Sequence, residues 1–273
     1  MRYTPIAMAT RTAQTATKPK PRRRRSENLP SPESIRQMLA ELESLKLPPG
    51  DGDRMESDWH VVSISLLDEL VRQHLGEPKD YFCGGNMFIY FSIDQAKEIE
   101  DYVEAEEVAR KPRFKGPDFF LVKGVDGTKP RDSWVVWLEG GRYPDLVVEF
   151  ISSSTRRKDV DRNVKFYQNV FRTHEYFWYD RRTNELKGYR LGEGGKYAEI
   201  APNAQGRLWS EVLGAYLGVW QGKYRGRRYP WLRLYDAQGN LVPTAQEAER
   251  QRAEQAEQRV AELEAELRRL RGE

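Results

Sequence analysis

Two acidic residues are set into apolar runs where a charge is costly. Asp118 stands in Gly116-Pro117-Asp118-Phe119-Phe120, and Glu149 in Asp145-Leu146-Val147-Val148-Glu149-Phe150-Ile151. A carboxylate near an apolar interior needs a metal or a cationic partner to offset its lost hydration. Carboxylates on adjacent strands are the hard oxygen ligands that Mg²⁺ takes, and a cation so held can activate water beside a phosphate. From its surroundings alone Glu149 has two readings, a metal ligand or a salt bridge to one of the chain's many arginines. Asp145, in a second Pro-Asp pair, competes with Asp118 for the role of first acid. Asp145 and Glu149 would share one face of one strand but stand about 13 Å apart at a rise of about 3.3 Å per residue. Two ligands of one Mg²⁺ must each come within about 2.1 Å of it. Asp118, on a neighbouring strand, can meet Glu149 across the sheet spacing of about 4.8 Å. The pair selected is therefore Asp118 with Glu149.

The elements that must position this pair follow from periodicity. Ser57 or Asp58 can cap a helix carrying Val61, Ile64, Leu67, Leu70, Val71 and Leu75. Strands are expected in Tyr81–Ser92, with a bend at Gly84-Gly85, then in Phe119–Val122 and in Asp145–Ile151, the last apolar on both faces like a central strand. A helix from about Asp159 to Arg172 presents Val160, Val164, Tyr167 and Phe171. Glu175–Tyr179 and Leu186–Leu191 read as a hairpin around Arg181-Arg182-Thr183-Asn184. The order helix, strand, strand, strand, helix, strand is an α/β core. An earlier helix is expected over Ser31–Leu45, residues 94 to 112 read as a charged connection, and residues 197 to 235 add smaller Trp- and Tyr-rich pieces.

Other groups carry weaker signals. Glu56 is a candidate accessory carboxylate, with His60 four residues on, although no further ligand joins them and Trp59 and His60 are expected to pack. Ser152-Ser153-Ser154-Thr155 reads as a hydroxyl-rich turn, since none of His60, His74 and His174 forms a recognisable triad with it. Asp159 reads as a helix cap. Arg225-Gly226-Arg227-Arg228-Tyr229-Pro230-Trp231 interleaves cations with aromatics, as a phosphate-gripping or base-stacking surface does, and equally as a wrapped surface loop does.

Composition bounds the rest. With 45 basic and 42 acidic residues, the net charge of +3 is too balanced to indicate a nucleic-acid partner by itself. Residues 1–30 carry the basic block Arg22 to Arg25 without apolar periodicity and read as a disordered tail; residues 31–243 form the expected domain. From Thr244 to residue 273, Ala253, Ala256, Val260, Leu263, Leu267 and Leu270 repeat at alternating spacings of three and four. That seam suits either a homo-oligomeric coiled coil or a solvated single helix. The single cysteine, Cys83, excludes an intrachain disulfide and suits the cytoplasm. No apolar stretch approaches the roughly 20 residues of a membrane span. The first 25 residues lack a secretory h-region, and their acid-free, Arg/Thr-rich character resembles either a transit peptide or sequence upstream of a true start at Met8.

The ordered strings Gly116-Pro117-Asp118-Phe119-Phe120-Leu121-Val122, Pro144-Asp145-Leu146-Val147-Val148-Glu149-Phe150-Ile151-Ser152, then Asp159, Lys165, Tyr167 and Glu175-Tyr176-Phe177-Trp178-Tyr179-Asp180 resemble the Uma family of bacterial restriction endonucleases. Asp51-Gly52, Glu56 to His60 and Gly85 to Tyr90 extend the likeness, which spans roughly residues 50 to 243. The resemblance implies a PD-(D/E)xK restriction-endonuclease-like core and a metal-dependent endonuclease, with nucleic acid, and DNA in particular, as partner. It makes Asp118 and Glu149 the ligands of Mg²⁺ or another divalent cation. The superfamily lysine normally stands two residues after the second acid, where this chain has Ile151. In this branch Lys165 of the following helix takes its place, to orient water or stabilise phosphate charge. Read by itself, Lys165 is equally a surface lysine paired with Asp161. The displaced lysine also leaves open an inactive, nuclease-derived module that binds nucleic acid or protein.

Overall fold

The structure is a computed structural model, and it describes residues 31–34, 36–37, 57–92, 116–151 and 158–272, with the backbone alone at 158 and 159. The chain divides into two units, Met1–Pro49 and Gly50–Glu273. In the first, residues 32–34, 36 and 37 are helical, and Ser31 Oγ accepts from the Ser34 N–H at 3.1 Å. The remainder of the helix expected to Leu45 lies outside the described residues, as do the basic tail, residues 94 to 112, Ser152 to Thr155 and Glu56.

The second unit opens with α1 (Asp58–Leu75), whose N-cap is Ser57, with its hydroxyl accepting from the His60 N–H. The buried stripe is one residue out of the expected phase at its start: Trp59, Val62, Leu66, Leu67, Leu70 and Val71 face inward, whereas Val61 is 47% exposed. The strands are β1 (Tyr81–Gly84), β2 (Ile89–Tyr90), β3 (Phe119–Lys123), β4 (Trp134–Val135) and β5 (Leu146–Phe150). After α2 (Lys158–Phe166) come β6 (Glu175–Asp180), β7 (Glu185–Leu191) and β8 (Tyr197–Glu199). Six of them form one sheet in the order β1-β3-β5-β6-β7-β8, antiparallel except for β5 and β6. A parallel pair needs a crossover, and α2 supplies it. The single strand expected over Tyr81–Ser92 is split at Gly84-Gly85, and β2 leaves to pair with β4.

Alternation divides the sheet into two faces. Phe119, Leu121, Val148, Phe150 and Phe177 pack with α1, whereas Phe120, Val147, Tyr176 and Trp178 pack with Tyr167 and Phe171 at the end of the crossover. Each large apolar side chain fully buried this way contributes about 1.5–3 kcal/mol.

The Trp- and Tyr-rich remainder forms a second sheet that periodicity does not reveal. It is β9 (Leu208–Ser210), β10 (Ala215–Tyr224) and β11 (Arg227–Tyr235), in the order β11-β10-β9. Gly218, Gly222, Pro230 and Arg233 interrupt the apolar alternation. Pro230 is tolerated because β11 is an edge strand. Leu217, Trp231, Leu232 and Leu234 share the apolar cluster of α1. Fully buried Glu175 joins the two sheets: it accepts from Arg190 Nε at 2.9 Å, from Ser210 Oγ, and from the N–H groups of Glu211 and Val212.

The last element, α3 (Ala245–Arg271), begins at the expected Thr244, where a capping box with Glu247 closes its first turn. Glu247 also pairs with buried Arg233 at 2.6 Å, and the Ala245 N–H donates to Glu69 Oε1. No residue of α3 is buried. Among the described residues no helix is long and apolar enough to cross a membrane.

Candidate active site

The site is assembled from the backbone outward. Gly85 runs against the chain that enters β3: a Cβ there would stand 2.2 Å from the Asp118 carbonyl oxygen and 2.6 Å from Ile64 Cγ2. Beside it, the Asn86 N–H donates to Pro117 O at 3.1 Å. Only a glycine permits this approach, which fixes Asp118 at the mouth of β3. Phe119 faces Val148 in the β3–β5 ladder, so Asp118, one step before the strand, stands opposite Glu149. Directly opposed residues project to the same side of an antiparallel pair. Each acid takes a backbone donor across the ladder: Asp118 Oδ2 accepts from the N–H of Phe150, the residue after Glu149, at 2.6 Å, and Glu149 Oε2 accepts from the Asp118 N–H at 3.3 Å.

Helices orient the remaining oxygens. From the first turn of α1, His60 brings Nε2 to 3.0 Å from Asp118 Oδ1, so His60 packs against Phe150 and also touches an acid. At the end of α2, a π-helical turn at Tyr167–Phe171 closes on Arg172 in the left-handed region (φ 53°), and the Thr173 N–H donates to Tyr167 O. Such turns often mark functional sites. Tyr167 donates its hydroxyl to Glu149 Oε1 at 2.7 Å. Burial first, and the Glu149 charge second, push the Tyr167 phenol well above its usual pKa, so it stays a donor. Tyr176 is shifted the same way by burial and then by Glu149 and Asp118, and its buried hydroxyl has no hydrogen-bond partner among the described residues.

These features fit a divalent cation. The donors are hard carboxylate oxygens from two opposed strand positions. Their orientation is fixed by a surrounding shell, as in metal sites. A water on such a cation would give Tyr176 its missing partner.

Other candidates are not brought in. Asp145 lies at the far end of β5, where its carboxylate accepts from the Lys123 N–H at 2.7 Å, so it is no ligand beside Glu149. Ile151 follows Glu149 into the apolar cluster and carries no charge. Lys165 is exposed and touches neither acid among the described residues. Two helical positions separate it from inward-facing Tyr167, about 200° around the helix. The cap expected at Asp159 lies outside what is described, since residues 152–157 and the Asp159 side chain are not among the described residues.

His174, Glu175 and Glu211 offer a second cluster, with ligand atoms within 4.8 Å of one another. A cation is already there: Arg190 pairs with Glu175 and with Glu211, each at 2.8 Å, so the cluster reads as a structural knot.

Gly85, His60 and Tyr167 are the contributors that sequence reasoning missed. Tyr167 is legible in the sequence as an inward-facing residue, but the target of its hydroxyl is not.

With that geometry in place, the family model described as "Uma2: Putative restriction endonuclease" matches residues 54–221. The chain belongs to this family. Its match covers more than half of the chain and includes both acids, α1 and the π-helical turn. No curated protein matches. Among solved structures, a protein of Anabaena variabilis ATCC 29413, described as a "putative nuclease belonging to DUF820", is similar at 10% identity, with a TM-score of 0.40. The alignment covers 58% of this chain and 75% of that one. Membership in the Uma2 family supports a nuclease as the class of protein.

Proposed function

We propose that this Uma2 protein is a divalent-cation-dependent endonuclease that hydrolyses phosphodiester bonds in DNA. The observation that carries the reading is the opposition of Asp118 and Glu149, with Glu149 on the Asp118 N–H, Asp118 on the Phe150 N–H and neutral Tyr167 on one Glu149 oxygen. The cation, Mg²⁺ or another divalent ion, would be held by these two carboxylates and would supply a lowered water pKa and charge stabilisation at phosphorus. Tyr167 keeps Glu149 oriented, His60 steadies Asp118, and Phe150 excludes water behind the pair. Lys165 takes no part in holding the acids, so its proposed role is confined to the substrate phosphate. The single buried cysteine suits action in the cytoplasm.

Supercoiled plasmid incubated with the full chain should be nicked in Mg²⁺ and intact in chelator, with Asp118→Asn and Glu149→Gln both inactive. Cleavage that survives in either variant would overturn the assignment. Ile151 and the outward Lys165 favour a second reading, a module that binds DNA without cutting it. Tight binding with no cleavage in Mg²⁺ or Mn²⁺ would select that reading.

A further inference from the structure

The tip of the β10–β11 hairpin is crowded with cations. Lys223 and Arg228 are directly opposed across the ladder, an arrangement that like charges disfavour. Between them Arg225 is held at φ 46°, in the region a bulky side chain rarely adopts. A fourth cation, Arg181 of the β6–β7 turn, is stacked between Trp59 and Tyr229, with its guanidinium carbon 5.0 Å from each ring. Stacking leaves the planar N–H edge available to a phosphate. Among the described residues none of these four cations is in an ion pair, while nearby acids are engaged: Asp58 with Arg227 at 2.6 Å and Asp180 with Arg182 at 3.3 Å.

Position turns this excess into a site. Arg227 pins the hairpin to Asp58, and Arg181 lies on Trp59, so both reach the first turn of α1. That turn also carries His60, 3.0 Å from Asp118. One helical turn is about 5.4 Å. Lys223 and Arg228 alternate with Arg227 and Tyr229 and so project from the other face of the hairpin. We infer that these two, Arg225 and Arg181 form a ridge across the hairpin tip that docks the phosphate backbone of duplex DNA. This inference rests on the endonuclease reading and adds the surface by which the substrate is gripped.

Binding of a fluorescent duplex to the full chain in chelator, titrated with salt, tests it without cleavage. Removing one cation that neutralises a phosphate should lower the slope of log K against log salt by about 0.9. Lys223→Gln/Arg225→Gln/Arg228→Gln should therefore lose about 2.7 of slope, and in Mg²⁺ should raise KM while kcat at saturating DNA holds. The single Lys223→Gln, at an exposed position, should lose about one third of that, and serves if the triple variant does not fold. A wild type that binds while both variants keep its slope would overturn the ridge alone. A wild type that binds no duplex at any salt would overturn the DNA reading, and the ridge with it.

A separate observation concerns α3. Val260, Leu263, Leu267 and Leu270 are 43–77% exposed on a helix with no buried residue. With Ala253, Val260 and Leu267 as a positions and Ala256, Leu263 and Leu270 as d positions, the g residues are Arg252, Arg259 and Glu266, and the e residues Glu257, Glu264 and Arg271. In a parallel, in-register pair each g faces the e five residues later on the second copy. All three pairs are then of opposite charge: Arg252 with Glu257, Arg259 with Glu264, Glu266 with Arg271. An antiparallel pair sets Glu257 against Glu264. We propose that α3 pairs with a second copy of this chain as a parallel coiled coil, which places both cores at one end. The expected result is a dimer by sedimentation that Leu263→Lys/Leu267→Lys converts to monomer, and a Leu270→Cys variant, at a d position of the seam, that crosslinks to itself on oxidation. A wild type that stays monomeric at tens of micromolar, or a dimer in which Leu270→Cys does not crosslink, would overturn it.

Discussion

Glu149 and Glu175 are two buried carboxylates on adjacent parallel strands, 8% and 0% exposed, and the molecule treats them in opposite ways. Arg190 and Ser210 satisfy Glu175, together with two backbone N–H groups, which locks two sheets together. Glu149 faces a second acid, and the partners seen among the described residues are neutral, a phenol and one long backbone bond. A carboxylate whose hydrogen-bonding capacity is filled by fixed donors is structural. One that is oriented by a phenol and set directly beside another acid stands where a cation would offset the mutual repulsion. Burial alone does not separate the two cases; the partners do.

The largest effect should come from the satisfied acid. Glu175→Ala removes the buried acceptor shared by Arg190, the Ser210 hydroxyl and the N–H groups of Glu211 and Val212, although Arg190 keeps Glu211, and should cost about 3–5 kcal/mol in chemical denaturation, with or without Mg²⁺. A loss under about 1 kcal/mol would erase the distinction between the two acids. Gly85→Ala forces a Cβ onto the Asp118 carbonyl and should cost about 1–3 kcal/mol. Because the displaced residue is Asp118, cleavage should fall further than the stability loss explains, measured at a temperature where the variant remains folded.

Glu149→Gln sharpens the comparison from the other side. In chelator its stability should match wild type within about 1 kcal/mol, since relief of acid–acid repulsion offsets one weakened hydrogen bond. Wild type should gain about 2.7 kcal/mol in Mg²⁺ at a hundredfold excess over Kd, and the variant nothing. A variant that melts far lower in chelator would make Glu149 a second structural acid. Lys165→Ala should leave melting unchanged and slow cleavage, and equal rates would remove Lys165 from the site.

The smallest effect is at the root of α3. Burial raises the Glu247 pKa, but hydrogen bonds from Arg233 and Thr244 outweigh it, so the net shift is below the usual 4.5. A depressed carboxylate contributes stability above its unfolded pKa and loses it as pH falls through the folded value. Wild type should therefore lose more melting temperature than Glu247→Gln as pH drops below about 4.5, and parallel curves would refute the assignment.

Much of this was written in the residue order. Local apolar periodicity determined α1, the central strand at Leu146–Phe150, the crossover helix and the hairpin at Arg181–Asn184, because those signals depend on near neighbours. The strand-spacing argument also favoured Asp118 over Asp145 as the companion of Glu149. The sequence did not yield the second sheet, where glycine, proline and buried Arg233 mask alternation. Nor did it reveal that Gly85 makes room for Asp118, or that the inward Tyr167 donates to Glu149 while Lys165 is exposed. Register, the phase of a helix and the partner of a polar atom are set by contacts between residues far apart in the chain, and those exist only once the sheet has closed around them.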